Sequence, residues 1–272
     1  MISTLDLDRT HFSVLRLEGR IWAVAAVRGD APRLREVHAG IEARFQRGDR
    51  VIHLGDVMGA GPDIIGTVDE VLRFRRWVIS RPPFVHPNDF VVLRGSQEEM
   101  WRNLLQVQFA AAAGDVLRWM ESRGVAETVN AYGGRFCEGL VAARDGAMVL
   151  GQWTARLRDA IRATPGHGAF NAMLMRAAVT ADGALLFVNA GLDPDRRLSD
   201  QGDRFWWDAG GPDRMKTGYP EARLIIRGAD PGRRGVTREA FYLGLDGGSG
   251  EGGLLNAVCL SRDGKILDTI SA

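Results

Sequence analysis

Lysine is nearly absent from this chain: Lys216 and Lys265 are the only two in 272 residues, so almost all positive charge is arginine. Arginine cannot be deprotonated in ordinary water, and its planar fork suits fixed ion pairs and bidentate anion contacts. Cysteine is equally scarce. Cys137 and Cys259 are too few for a disulfide framework or a zinc site of their own, and both read as buried thiols in a reducing compartment. No stretch approaches the roughly 18 apolar residues of a membrane helix. The opening MISTLDLDRTHFSVLRL has early acidic residues and no apolar run of signal-peptide length, so a cytoplasmic location is expected. Neither sign of charge dominates: 35 Lys and Arg stand against 34 Asp and Glu. That balance leaves no basic stripe and argues against a nucleic-acid partner. Repeats, low-complexity tracts and long linkers are also lacking.

What is present is an ordinary globular composition, 45% hydrophobic and 25% charged, long enough for a substantial core. Residues 12–17 and 21–27 are short apolar runs separated by Glu18-Gly19-Arg20, a hairpin signal. Leu34, Val37, Ile41 and Phe45 have helical spacing over 31–46, and a second helical pattern covers 65–80. Strands are expected at 50–54 and 89–94. Strand and helix alternating with short polar connections is the pattern of an α/β unit with parallel pairing. Residues 97–175 read as mostly helical, over 98–112, 114–122, 151–163 and 167–175. Strands then follow near 173–179, 184–190, 222–227, 240–244, 254–261 and 264–270, with hairpin turns at Ala181-Asp182-Gly183 and Arg262-Asp263-Gly264. One domain over 1–272 with a helical insertion at about 97–175 is the simplest organisation.

Certain strand ends carry familiar motifs. Residues 21–29 read IWAVAAVRG, 54–63 LGDVMGAGPD, 92–99 VLRGSQEE, 187–193 FVNAGLD and 226–231 IRGADP. In this order they resemble the metallophosphatases (calcineurin-like phosphoesterases), in particular the bacterial protein-serine/threonine phosphatases. That family has D-x-H-G, G-D-x-x-D-R-G-P-D, L-R-G-N-H-E, F-V-H-A-G and H-G-H-T-P at these places. WMESRGVAETVNAYG (119–133), NAGLDPDRRLSDQGDRFWW (189–207) and LGLDGGSGEGGLLNAVCL (243–260) are similar to further family segments. The resemblance implies a four-layer α/β/β/α sandwich of two mixed sheets, with a two-metal site at their edges.

The resemblance also identifies what has been replaced. Two dications about 3.5–4 Å apart need a bridging carboxylate and a shell of neutral or anionic ligands. The bridging Asp matches Asp56. The other ligand positions fall on Ala26, Arg28, Ser96, Asn189 and Ala229. The leaving-group acid falls on Gln97, its partner Asp on Gly59, the phosphate-clamping Arg on Ala60, and the first His of the last motif on Arg227. Glu98 matches a supporting residue. A guanidinium offers no lone pair to a metal, and at ~4 Å in an effective dielectric of ~20 it repels a dication by roughly 8 kcal/mol before screening. No metal is therefore expected, the family's manganese or iron and zinc being lost, and Asp56 becomes an ion-pair candidate for Arg28.

The expected function is that of a pseudophosphatase, a binding, regulatory or scaffold protein whose partner is a protein, including a phosphoprotein. One alternative is an active phosphoesterase with an atypical metal site around Asp56. Another is a metal-free sensor in which Arg28, Arg94 and Arg227 converge on a phosphate-containing or other anionic ligand, unless Asp56, Glu98 and Asp230 neutralise them. Outside the motifs, His53 reads as packed, whereas His11, His38, His86 and His167 read as solvent-facing or capping. Asp30 lies past the strand end. Trp119 and Phe205-Trp206-Trp207 read as core.

Overall fold

The computed structural model describes residues 7–16, 18–81 and 86–272. Two mixed six-stranded sheets pack face to face, giving the α/β sandwich expected from the motifs. The first strand, β1 (Phe12–Leu15), belongs to one sheet and β2 (Ile21–Val24) to the other. The hairpin expected at Glu18-Gly19-Arg20 is therefore not formed; the segment carries the chain between sheets. Leu17, at the end of the first apolar run, and the opening residues 1–6 lie outside the described residues. Gly19 is required here, since a Cβ would sit 2.0 Å from the Gly48 carbonyl oxygen.

After β2 the chain forms α1 (Ala31–Arg44), β3 (Arg50–His53), α2 (Ile64–Ile79) and β4 (Phe90–Leu93). Both helices open on an aspartate side chain: Asp30 accepts from the Arg33 N–H (3.2 Å) and Asp63 from the Gly66 N–H (2.8 Å). Such caps satisfy backbone donors that the first turn leaves unpaired. Strands β2, β3 and β4 pair in parallel, so their carboxyl ends lie along one edge of the sheet. The chain then runs through α3 (Ser96–Leu104), α4 (Ala113–Glu121), α5 (Val125–Ala131), α6 (Phe136–Asp145), α7 (Ala147–Ala163) and α8 (His167–Ala172).

The strand expected over 173–179 is two strands in two sheets. Leu174–Met175 (β5) pairs with β4, and Ala177–Thr180 (β6) pairs with β1. Arg176 makes the step, its N–H donating to the His11 carbonyl. Next come β7 (Leu185–Val188), the short α9 (Arg204–Trp207), β8 (Leu224–Arg227), β9 (Thr237–Arg238), β10 (Tyr242–Gly244), β11 (Asn256–Leu260) and β12 (Ile266–Ser271). The β6–β7 and β11–β12 pairs are the hairpins that the two Asp-Gly turns announce.

Side chains alternate as a two-residue period requires. Leu185 and Phe187 of β7 join the core between the sheets, while Leu186 and Val188 face the opposite way, against Phe205 and Trp206. Helices α1 and α2 cover the outer face of the second sheet. The outer face of the first is covered more thinly, by α9 and its flanking turns. The segment of α3 to α8 packs over one end of the sandwich.

Two histidines expected at the surface are buried. His38 on α1 lies against His53 on β3 (Nε2···Nε2 2.9 Å) and Glu70 on α2 (Nδ1···Oε1 2.6 Å). His167 is fully buried, with its Nδ1 2.6 Å from the Tyr132 hydroxyl. Burial outweighs Glu70 and Glu42 and lowers the His38 pKa, and burial followed by the His38 charge lowers that of His53 well below the usual range. Glu70 is pushed up by burial but drawn down to about 2 overall by hydrogen bonds from Arg73 and His38.

The sign of the pH dependence follows. An unfolded histidine binds a proton near pH 6.5, whereas burial lowers both pKa values in the fold, so their stability contribution is full above that pH and is lost on acidification. Urea unfolding at pH 7.5 and 5.5 is expected to show a loss of about 1–3 kcal/mol from the pair, the upper figure holding if neither is protonated at pH 5.5. In a His53→Leu variant the loss shrinks; an unchanged pH slope would mean these residues do not titrate differently on folding.

Candidate functional site

At the ends of β2, β3 and β4 the backbone turns sharply. Arg28 and Asp56 both adopt left-handed φ angles, 52° and 50°. Such angles are uncommon outside glycine and are held by surrounding contacts. Gly95 makes the third turn possible: a Cβ there would lie 2.3 Å from the Asp56 nitrogen and from Asp56 Oδ1. Gly59 (φ 155°) is held as closely, its Cβ position being 2.9 Å from Arg28 Cα. The motif loops are thus folded tightly on one another.

Asp56 is 2% exposed, and both its oxygens are engaged. Oδ1 accepts from Ser96 Oγ (3.0 Å) and the Gln97 N–H (2.8 Å), and Oδ2 accepts from Asn189 Nδ2 (3.2 Å). Glu98 is turned inward and accepts from the backbone N–H groups of Gly95 (2.8 Å), Asp56 (2.9 Å) and Met58 (3.0 Å). Burial first, then the Asp56 charge, pushes its pKa up to about 7. Ala26 and Ala229 pack with Ala190 in a small apolar cluster at the sheet edges. Methyl groups therefore occupy two of the positions where the motif comparison placed ligands.

Arg28 does not pair with Asp56. Its guanidinium grips Asp246 through Nη1 (3.0 Å) and Nη2 (2.5 Å), with Glu251 4.0 Å from Nε. Burial opposes its charge, but the Asp246 bonds and charge outweigh it and raise the Arg28 pKa; Arg28 conversely holds the buried Asp246 below the usual carboxylate range. Asp246 also accepts from the Asp230 N–H (2.8 Å) and the Gly248 N–H (2.9 Å). Sequence reasoning missed this residue. The only signal was its place in the L-D-x-G of the tail segment.

The three arginines expected to converge do not share one pocket. Arg28 lines a cleft of about 680 Å³ together with Asp56, Gln97 and Asn189. Arg227 is completely buried, donating to the Ala209 carbonyl (2.8 Å), 3.4 Å from Asp230 and 4.6 Å from the Tyr242 ring centre. Arg94 lies 3.4 Å from Glu99 and lines a different cavity. Ala60 does line the cleft, beside Gly124 of the helical segment. Arg123 and Arg233 are the other cleft arginines, and Arg233 is paired with Glu251.

Two further corrections concern exposure. Trp206 and Phe205 are buried, but Trp119 and Trp207 are each 42% exposed, with ring centres 5.7 Å apart. Arg123 stands over the Trp119 ring at 5.6 Å. Of the two cysteines, Cys259 is buried and Cys137 is exposed.

This donor set does not fit a two-metal centre. The retained carboxylate already accepts from three donors, the second is held by three backbone N–H groups, and the Arg28 guanidinium lines the same cleft. Among the described residues no group of three or more His, Cys, Asp or Glu is placed to hold a metal ion. Asn189 Oδ1 and Gln97 Oε1 lack hydrogen-bond partners, yet both are neutral and occluded from solvent.

Comparison with solved structures places the architecture. A structure described as a candidate diadenosine tetraphosphatase matches 97% of this chain and 97% of its own, with a TM-score of 0.57 and 16% identity. A protein serine/threonine phosphatase from Saccharomyces cerevisiae, with similarity to human phosphatase PP5, matches 97% of this chain and 84% of its own, with a TM-score of 0.51 and 15% identity. No protein-family model and no curated protein matches the sequence. The chain has the metallophosphatase fold. Among the described residues no helix is long and apolar enough to cross a membrane.

Proposed function

We propose that the protein is a pseudophosphatase, which holds a protein partner at the cleft mouth and does not hydrolyse phosphate. One observation carries the reading: Asp56, the single ligand position whose residue is kept, has both oxygens occupied by Ser96, Gln97 and Asn189. Generating a nucleophilic hydroxide needs a bound metal with an open position and a lowered water pKa, and the one retained carboxylate is already engaged in holding the loops together. The cleft mouth supports the binding half of the proposal. Exposed Trp119 and Trp207 with Arg123 form an aromatic and cationic lip, and tryptophan and arginine are the residues that dominate protein interfaces. Arg123 gives that lip a charge suited to a phosphorylated or acidic segment.

A one-metal phosphoesterase is the second reading, favoured by the unpaired oxygens of Asn189 and Gln97. The two readings separate on elemental analysis and on phosphomonoester turnover with added manganese. The expected result is substoichiometric metal and a rate no higher than that of Asp56→Asn; one metal per chain with turnover abolished by Asp56→Asn would establish the enzyme instead. The lip is tested with phosphopeptide mixtures read by tryptophan fluorescence. Trp207→Ala is expected to weaken binding at least about tenfold, and equal binding by the variant removes the lip from the proposal.

A further inference from the structure

A second cavity, of about 230 Å³, lies behind α3 and is lined by Arg94, Trp101, Arg102, Arg158, Arg162 and Leu174. Trp101 and Leu174 are buried and supply an apolar wall, while four arginines surround it. The local carboxylates do not neutralise all of them. Glu99 pairs with Arg94 (3.4 Å) and Arg102 (2.5 Å), and Asp159 with Arg162 (3.2 Å). Arg158 contacts only neutral acceptors among the described residues, the Leu105 carbonyl and Thr154 Oγ1. Glu98 also borders the cavity, but its carboxyl oxygens are taken by backbone N–H groups. Two lining side chains have buried donors without partners, Arg94 Nε and Trp101 Nε1. Buried unpaired donors are costly and mark places where a ligand or water completes the bonding.

We propose that this cavity binds a small monoanionic amphiphile, a carboxylate head among the guanidinium groups and a short apolar body against Trp101 and Leu174. The volume, about 230 Å³, falls below the roughly 300–1,000 Å³ of drug-sized sites and so selects a small molecule. Guanidinium forks match a carboxylate bidentately, and the apolar wall rewards each methylene. A highly charged head such as free phosphate gains nothing from that wall. The site is independent of the cleft, although α3 borders both.

The experiment is calorimetric titration of the intact protein with butyrate, hexanoate and octanoate, with 1-octanol and inorganic phosphate as the neutral and head-only probes. Affinity is expected to rise by up to about fourfold per buried methylene, with octanol and phosphate binding far more weakly. Two variants test the location. Arg162 is an exposed helix residue, so Arg162→Glu reverses a rim charge without touching the core, and should weaken octanoate about fivefold. A Cβ at Gly168 on the rim meets nothing within 4 Å, so Gly168→Leu adds bulk at the cavity mouth and should also weaken octanoate. Absence of carboxylate binding, equal binding of octanol, or unchanged octanoate affinity in both variants while they keep the parent melting temperature would overturn the proposal.

Discussion

Arg28→Ala and Asp246→Ala are each expected to destabilise the fold by roughly 3–5 kcal/mol, because either one leaves a buried charge without its partner. Arg28 retains 12% side-chain exposure and Asp246 none, so water does little to relieve the survivor. The total stability of a domain is about 5–15 kcal/mol, which makes either change a large fraction of it. Asp246→Ala should be the worse, since Asp246 also accepts the backbone N–H groups of Asp230 and Gly248. The double replacement should cost less than the sum of the singles, as expected for side chains in direct contact. Arg28→Gly should be milder than Arg28→Ala by about 1 kcal/mol, because φ of 52° strains alanine and suits glycine. Urea unfolding measures all four. Single variants within about 1 kcal/mol of the parent would show that the pair is not structural. Arg28→Ala is expected to carry no stoichiometric manganese on elemental analysis, since removing a guanidinium supplies no ligand.

How much of this was legible in the sequence depends on how local each signal is. The strand–helix alternation from Ile21 to Leu93 was readable because each period lies within one element, as with Leu34, Val37 and Ile41 on α1. The reason for one motif glycine was not readable in the same way: Gly95 must admit Asp56, which comes from another loop. Partners brought together by the sheets were not either. Arg28 and Asp246 are 218 positions apart, and nothing local distinguishes Asp246 from the other carboxylates available to an arginine. His38 looked like a surface residue because a polar side chain on a helix normally is one; its burial depends on His53 and Glu70 arriving from other elements. The break at Arg176 was not read because a single charged residue flanked by short apolar runs is also found within one strand, while here the two flanks hydrogen-bond to different sheets. Trp119 and Trp207 matched family segments, and a match in sequence carries no information about which side of the ring faces water.

Glu98→Ala is expected to be the other change with a large effect, again roughly 3–5 kcal/mol. The carboxyl group is the acceptor for three backbone N–H groups in two loops, and each buried donor left unpaired costs about 1–3 kcal/mol before relaxation. Glu98→Gln should cost less, because the amide oxygen still accepts, and comparison of the two isolates the bonds from the volume. The pH dependence has a definite sign. With a folded pKa of about 7, raised from the ordinary glutamate value of 4.5, the contribution is complete in acid and is lost as pH rises through that window. Glutamine has no such loss, so the penalty of Glu98→Gln relative to the parent should shrink between pH 5 and pH 8. Asp56→Asn removes the neighbouring charge that helps to raise Glu98, and in that background the shrinkage should be smaller. A penalty independent of pH would mean that Glu98 titrates as an ordinary carboxylate. Asp56 would then be coupled to it only through the backbone they share, and the carboxyl pair would hold the loops by hydrogen bonds alone.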